Sequence, residues 1–241
     1  MTQRLLTSAV IAGFAAGLVA AFLQFAFVQK LLLLGEEYET GALVHFERAA
    51  AEVGAGHAHD HDDAAADHDH AADHGGGGDG ISRNALSLAF AALTYVAYGL
   101  VLVAGFALAE HYGIRVTAKE GLLWGIAGFV ALQLAPALGL APMLPGTPAA
   151  DIEARQIWYI GTQAATLAGL AVLAFGRGPV KLVSILLIAA PHVIGAPALD
   201  GFGGVAPPEL ASAFTARAIG VTFAAWAVLG WLAGWLWAKA A

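Results

Sequence analysis

The stretch SAVIAGFAAGLVAAFLQFAFV, residues 8–28, decides the fold class of this chain. It carries no charged side chain, and it is long enough to cross a hydrocarbon core, which takes about 20 apolar residues of helix. The apolar run of a cleaved signal peptide is shorter, about 7–15 residues, so we expect a retained transmembrane helix. The whole chain suits a membrane, since 59% of its residues are hydrophobic and only 12% are charged.

Five further apolar segments predict five more membrane crossings. They are residues 85–109, 121–141, 157–175, 180–199 and 210–237. The segment at 180–199 is short and contains Pro191 and Pro197, and each proline removes a helical hydrogen bond. Pro136 and Pro142 likewise predict an irregular end for the segment at 121–141. We therefore predict an all-α integral membrane protein, a bundle of about six transmembrane helices. The expected parts are a first helix at 1–30, a loop at 31–84 and a five-helix bundle at 85–241.

Pairs of glycines four residues apart predict where the helices pack most closely. The pairs are Gly13 with Gly17, Gly121 with Gly125, and Gly230 with Gly234. Such a pair leaves a flat stripe on a helix, so that a second backbone can approach it.

The acidity of the chain lies in the loop at 31–84. This loop has twelve Asp and Glu against two Arg, a net charge of −10, whereas the whole chain has −7. A basic surface for nucleic acid is therefore excluded. Glycine runs at 54–56 and 75–80 flank the centre of the loop, so we expect disorder around residues 54–80.

The centre of this loop, HAHDHDDAAADHDHAADH at residues 57–74, is a candidate metal-binding tract. Its predicted ligands are His57, His59, His61, His68, His70, His74, Asp60, Asp62, Asp67 and Asp69. Neutral imidazoles and carboxylates bind divalent first-row ions, and the chain has no cysteine that could add a thiolate. Co²⁺, Ni²⁺ and Zn²⁺ all remain open, with Mn²⁺ and Fe²⁺ as weaker candidates. The loose spacing favours weak capture at several sites, and the alternative is a solvated loop that only aids solubility.

Polar residues inside the apolar segments are candidates for a transport path, because such residues are costly in a membrane. His192, in APHVIGAP, is the strongest candidate metal ligand. Gln24, Gln133 and Gln163 are expected at a similar depth on other helices, where the four side chains would converge on one outward-facing vestibule. Glu36, Glu37, His45, Asp200 and Glu209 are expected around its mouth. For each residue alone, an ordinary interhelical contact is the alternative.

The distribution of Lys and Arg predicts the orientation. Short loops on one side contain more of them, so we expect both termini in the cytoplasm, the histidine tract outside, and the protein in the plasma (inner) membrane. Trp231, Trp235 and Trp237 would form an aromatic belt on the cytoplasmic side, and Trp158 and Tyr159 would lie in the outer belt.

These features predict a transporter of a divalent transition metal, and no catalytic constellation indicates an enzyme. Haem or di-metal chemistry would need several buried histidines or carboxylates, and the apolar segments do not supply them. Zinc or nickel transport is an alternative within the same class. The alternative from another class is a membrane protein that senses metal or serves as a scaffold without transporting it.

Two stretches, residues 139–175 and 186–199, resemble the CbtA family of proposed cobalt transporter subunits. The matching positions include Pro142, Pro145, Gly146, Arg155, Gln156, Trp158, Pro191, His192, Gly195, Ala196 and Pro197. The resemblance implies Co²⁺ as the favoured substrate and a link to cobalamin synthesis. It also implies a small single-span, His-rich partner subunit similar to CbtB, and an oligomer is possible.

Overall fold

The chain forms an all-helical bundle. The computed structural model describes residues 2–45, 78–201 and 203–240, and every regular element in these ranges is helical. The helices are α1 (Thr2–Leu23), α2 (Gln29–Glu39), α3 (Gly78–His111), α4 (Ala118–Phe129), α5 (Ala135–Ala137), α6 (Ile152–Phe175), α7 (Leu182–Ile194) and α8 (Pro208–Lys239). Two π-helical turns, Gln24–Val28 and Val130–Leu134, join α1 to α2 and α4 to α5. A 3₁₀ turn, Gly178–Lys181, precedes α7.

Five helical stretches among the described residues are long and apolar enough to cross a membrane. They are Gln3–Glu39, Asn84–His111, Ala118–Ala137, Ile152–Phe175 and Pro208–Lys239. The predicted class, an all-α membrane protein, is confirmed. The first helix extends to Glu39 and α3 begins at Gly78, so both reach into the range expected to be loop.

In the part of the chain that the structure describes, the predicted number of six spanning helices is too high by one. The segment at 180–199 gives only α7, which has 13 residues and is about 20 Å long, whereas the hydrocarbon core is about 30 Å thick. Helix α7 ends at Gly195, which has a φ of 89°, and helix does not resume until Pro208. The prolines of this segment explain the early end, because Pro197 cannot donate a helical hydrogen bond.

Glycine contacts hold the centre of the bundle together, as the spacing predicts. A Cβ atom on Gly13 would lie 2.5 Å from the Cα of Val96 on α3. A Cβ on Gly121 would lie 2.4 Å from the carbonyl oxygen of Gly230 on α8. Real side chains cannot come this close, so these glycines set the distance between helices. Helices α1, α3, α4 and α8 also share one cluster of buried apolar side chains.

An ion pair closes one end of this bundle, where α1 begins and α8 ends. The guanidinium of Arg4 donates to both carboxylate oxygens of Glu110, each at 3.1 Å. Arg4 also donates to the backbone carbonyl of Trp237, at 2.7 and 3.0 Å, and its guanidinium lies 3.8 Å from the centre of that indole ring. The indole N–H of Trp237 donates to Glu110 at 2.7 Å. We call these three residues the clamp.

The prediction of aromatic belts is wrong for two of the tryptophans, Trp237 and Trp158. Trp237 is fully buried, and Trp158 is 9% exposed, so neither faces a membrane interface. Trp231 and Trp235 remain exposed at 50% and 38%, and the Lys239 ammonium lies 3.9 Å from the ring centre of Trp235.

Candidate functional site

A proline creates the first polar feature inside the bundle. Pro136 lies four residues after Leu132 and has no N–H, so the α-helical hydrogen bond to the Leu132 carbonyl cannot form. Two side chains of α6 donate to this carbonyl instead, the Gln163 amide at 2.9 Å and the Tyr159 hydroxyl at 3.3 Å. The π-helical turn Val130–Leu134 contains this carbonyl, and such turns are frequent at functional sites.

The next residue of the same turn extends the polar contacts to α3. The Gln133 amide donates to the Tyr98 hydroxyl at 3.3 Å. The ring of Tyr98 meets Tyr95 edge to face, with ring centres 5.8 Å apart, and packs 4.8 Å from the ring centre of Trp226 on α8. Gln133 therefore connects α4 to the tyrosines of α3.

The other π-helical turn, Gln24–Val28, places Gln24 close to one of these tyrosines. A cavity of about 200 Å³ lies between α1, α3 and α8. Its lining consists of Ala20, Ala21, Gln24, Phe25, Ser87, Ala91, Tyr95, Val221 and Thr222. Gln24 and Tyr95 thus share one cavity, and Tyr95 contacts Tyr98 on its other side. We use the term polar layer for Gln24, Tyr95, Tyr98, Gln133, Tyr159 and Gln163.

The polar layer lies far from the clamp. Gln24 is about 30 Å along the helix from Arg4, at a rise of about 1.5 Å per residue. On α3, Tyr95 is about 22 Å from Glu110 by the same measure. A hydrocarbon core is about 30 Å thick, so the layer occupies the part of the bundle nearest the opposite end, where α2 ends and α3 begins.

His192 lies in the last turn of α7 and forms no hydrogen bond with the polar layer. Its ring centre is 6.0 Å from that of Trp158, and the Trp158 indole donates to the carbonyl of Pro191 at 3.1 Å. The Nε2 atom of His192 is buried and has no hydrogen-bond partner among the described residues. The same is true of Nε of Arg155, one helical turn from Trp158 on α6.

The structure brings some of the predicted site residues together and leaves others apart. Gln133 and Gln163 meet through the Leu132–Gln133 turn, and Gln24 approaches them through Tyr95 and Tyr98. Glu37, His45, Asp200 and Glu209 are exposed and Glu36 is half-buried. Within residues 2–45, 78–201 and 203–240, no three His, Asp or Glu side chains form a group that could hold a metal. The ten predicted ligands at 57–74 lie outside these described ranges.

Sequence reasoning missed the tyrosines and the Leu132 carbonyl. Tyr95 and Tyr98 were not predicted to belong to the site, and Tyr159 was expected only in the outer aromatic belt, although each hydroxyl lies within an apolar segment. Pro136 four residues after Leu132 was the available signal, because it marks which carbonyl loses its helical partner. Glu110, a charged residue at the end of α3 that the sequence analysis did not place in a site, is held by the clamp.

Comparison with known proteins identifies one family. The family model described as "Probable cobalt transporter subunit (CbtA)" matches residues 2–238. No curated protein and no solved structure matches the chain. With five helices of membrane-spanning length and a match over nearly its entire length, the chain is a multi-pass membrane protein that belongs to the CbtA family.

Proposed function

We propose that this protein is the subunit that carries a divalent transition-metal ion through the plasma membrane, with Co²⁺ as the favoured substrate. The family description supports metal transport. Ni²⁺ and Zn²⁺ are the alternatives, because nitrogen and oxygen ligands do not separate these ions by themselves. The role is transport and not catalysis.

The observation that carries this proposal is the buried, unpartnered Nε2 atom of His192. When the proton is on Nδ1, Nε2 presents a lone pair, and neutral imidazole is a preferred ligand of cobalt, nickel and zinc. A buried polar atom without a partner is costly, so a ligand that satisfies it would bind favourably. The chain leaves the helical conformation at Gly195 and does not resume it until Pro208, and non-helical backbone at membrane depth is tolerated only inside protein or beside water.

The polar layer would provide the neighbouring part of the path. Its amides and hydroxyls are uncharged, so they can contact a hydrated cation without holding it tightly. An inside-negative potential contributes roughly 2.3 kcal/mol per elementary charge per 100 mV. Inward movement of a 2+ ion therefore needs no nucleotide, and the sequence contains no G-x-x-x-x-G-K-[ST] motif that would bind one.

In this proposal, the tract at 57–74 collects metal outside the cell and both termini are cytoplasmic. The excess of Lys and Arg on one side supports this orientation. Helix α2 ends at Glu39 and α3 begins at Gly78, at the end of the bundle opposite the clamp and nearest the polar layer. Captured ions would thus be released close to the cavity. A small single-span, His-rich subunit similar to CbtB would complete the transporter.

Metal uptake into reconstituted vesicles tests the proposal. Vesicles contain the full chain and its partner subunit, and uptake of Co²⁺, Ni²⁺ and Zn²⁺ is measured alone and in competition. We expect His192→Ala to lower uptake of the preferred ion at least tenfold. His111→Ala is the matched control, because this histidine is exposed near the clamp and its loss should change little.

Two outcomes would contradict the proposal. If the wild type accumulated none of the three ions but still bound them, it would be a metal-sensing or scaffold protein. If His192→Ala and His111→Ala both transported like the wild type, the path would not use His192.

A further inference from the structure

We propose that α6 and α7 move together as one arm, which pivots at the Leu132 carbonyl and swings its connecting turn away from α4. We use the term hairpin for residues 152–194 and the term core for α1, α3, α4 and α8. The inference rests on the proposed transport function, because the movement opens the route by which an ion that has reached His192 leaves toward the clamp end.

The two helices of the hairpin are packed tightly against each other along their length. Near one end, the Trp158 indole donates to the carbonyl of Pro191 at 3.1 Å. Nearer the turn, a Cβ on Gly169 would lie 2.6 Å from Cγ1 of Ile188. Closely packed side chains transmit a displacement instead of absorbing it, so a force on one helix moves the other with it.

The hairpin is attached to the core much less firmly. Within residues 2–45, 78–201 and 203–240, neither cluster of buried apolar side chains contains a residue of α6 or α7. Side chains of α6 donate two hydrogen bonds to the core, from Tyr159 and Gln163, and both reach the carbonyl oxygen of Leu132. A single acceptor atom fixes the position of a helix but not its angle. The Leu132 carbonyl can therefore serve as a pivot.

Both backbone connections of the hairpin lie at the end opposite its turn. The chain from α5 enters at Ile152, and the chain toward α8 leaves at Ile194. Close packing holds this end, because a Cβ on Gly139 would lie 2.4 Å from the Trp158 ring and 2.7 Å from the Cβ of Ala196. The hairpin is thus tethered at one end and free of backbone connections at the other.

An aromatic contact closes the turn end of the hairpin against α4. The rings of Trp124 and Phe175 lie 6.4 Å apart between their centres, and Phe175 is 53% exposed. The clamp joins only α1, α3 and α8, so it does not hold the hairpin. Helix α6 runs about 18 Å from Gln163 to Phe175. A rotation of about 15°, the size of known subunit rotations, would move the turn by about 5 Å.

This movement would give the polar layer access to the clamp end. Tyr159 and Gln163 lie beside Leu132 between α4 and α6, and separation of Trp124 from Phe175 opens the gap that leads to them. Water that enters this gap can hydrate an ion as it leaves the site. Rocking of one helix group against another is a common means of alternating access in transporters, and the loosely attached hairpin is the group able to rock.

Distances between spin labels test the movement without any transported ion. The chain has no cysteine, so pairs of introduced cysteines can be labelled on the full chain in lipid nanodiscs and measured by pulsed electron paramagnetic resonance. Leu123→Cys on α4 with Leu173→Cys on α6 reports on the turn end, and Leu108→Cys with Leu123→Cys is the matched pair within the core. All three side chains are exposed. We expect two distances about 5 Å apart for the first pair and one distance for the second.

A variant of the aromatic contact shifts the balance between the two positions. Phe175→Ala removes the ring that meets Trp124, and we expect the share of the longer distance to rise about twofold or more. Leu167→Ala removes an exposed apolar side chain from the same helix and should leave the distribution unchanged. A single distance at the turn end, as narrow as that of the core pair in both the wild type and Phe175→Ala, would overturn the inference.

A reducible cross-link tests whether transport needs the movement. Trp124→Cys with Phe175→Cys is joined by a bismaleimide that contains a disulfide, and Co²⁺ uptake is measured in vesicles before treatment, after treatment and after reduction. We expect the cross-link to lower uptake about tenfold or more, because it holds the gap closed, and reduction to restore it. Each single-cysteine variant should transport equally before and after treatment. Uptake that the cross-link does not change would overturn the inference.

Failure of the movement and failure of transport give different results. Co²⁺ uptake by the wild type together with one narrow distance at the turn end would leave the proposed function standing and overturn the moving arm. Two distances at the turn end without uptake of any ion would support the arm and contradict transport.

Discussion

The two ends of the bundle differ in how tightly the helices pack and in how fully their polar groups are hydrogen-bonded. At the clamp end, α4 and α8 touch through Gly121 and Gly234, and the charges of Arg4 and Glu110 are matched by direct hydrogen bonds. At the other end, two π-helical turns interrupt the helices, a cavity separates α1, α3 and α8, and polar atoms lack partners. The contrast indicates that the clamp end holds the helices together and that the other end is available for ligands.

Identical substitutions at two glycines of α8, one packed against α4 and one on an open side of the helix, should have the largest and most different effects. A Cβ on Gly230 would lie 2.4 Å from the Gly121 carbonyl oxygen, whereas a Cβ on Gly220 would meet no atom within 4 Å. We expect Gly230→Ala to lower the free energy of unfolding by about 3 kcal/mol through overpacking. We expect Gly220→Ala to raise it by up to about 1 kcal/mol through helix propensity. Thermal unfolding in detergent measures both, and equal effects would contradict the contrast in packing.

The clamp should show strong coupling between its two charges. The side chains of Arg4 and Glu110 are 17% and 28% exposed, so each charge is mostly removed from water. Removing one partner leaves the other poorly solvated. We expect Arg4→Gln and Glu110→Gln each to cost about 2 kcal/mol and the double variant to cost much less than their sum, a coupling of about 1–2 kcal/mol. Additive losses in a double-mutant cycle would show that the ion pair does not act as a unit.

At the opposite end, the loss of one polar contact should affect stability less and transport more. Gln163→Leu removes a donor to the Leu132 carbonyl but leaves Tyr159. Interhelical hydrogen bonds in membranes contribute about 0.6 kcal/mol on average, so we expect a loss of about 1 kcal/mol or less, with a severalfold lower rate of metal uptake. Gln156→Leu on the exposed side of α6 is the control. A change in stability without a change in uptake would assign Gln163 a structural role only.

The sequence predicts a feature of the bundle well when that feature depends on neighbouring residues, and poorly when it depends on residues far apart in the chain. The apolar segments and the glycine spacing are local, and they correctly predicted the helical class and the close packing. The clamp was missed because Arg4 and Trp237 are 233 positions apart in the chain. The polar layer was found only in part: the glutamines were identified as costly residues, but the acceptor of Gln163 is a backbone carbonyl 31 positions away, which composition does not reveal.

The short α7 shows that a local pattern can also predict a helix that is too long. The hydropathy of this segment predicts a sixth membrane-spanning helix, because Leu and Ile are the most frequent residues at 182–194. Its prolines were visible, yet their effect on length depends on whether tertiary contacts restore the lost helical bonds. The carbonyl of Pro191 accepts the indole N–H of Trp158, a contact that fixes the end of the helix against α6. That arrangement leaves the Nε2 atom of the half-buried His192 shielded close to where the helix stops.

The smallest effect on the bundle should come from removing the tract at 57–74. This change leaves both ends of the helical core intact, so we expect unchanged thermal stability and unchanged uptake when metal is abundant. At scarce metal we expect uptake to fall severalfold. The loss should resemble that of the intact protein when the pH falls toward 5, because protonation of imidazole, with an unperturbed pKa of about 6.5, releases the metal. A tract in which each histidine is replaced by Asn keeps the length and the aspartates as a control. Unchanged uptake at low metal in both variants would show that ions reach the polar end directly, and the contrast between the two ends would then lie entirely within the helices.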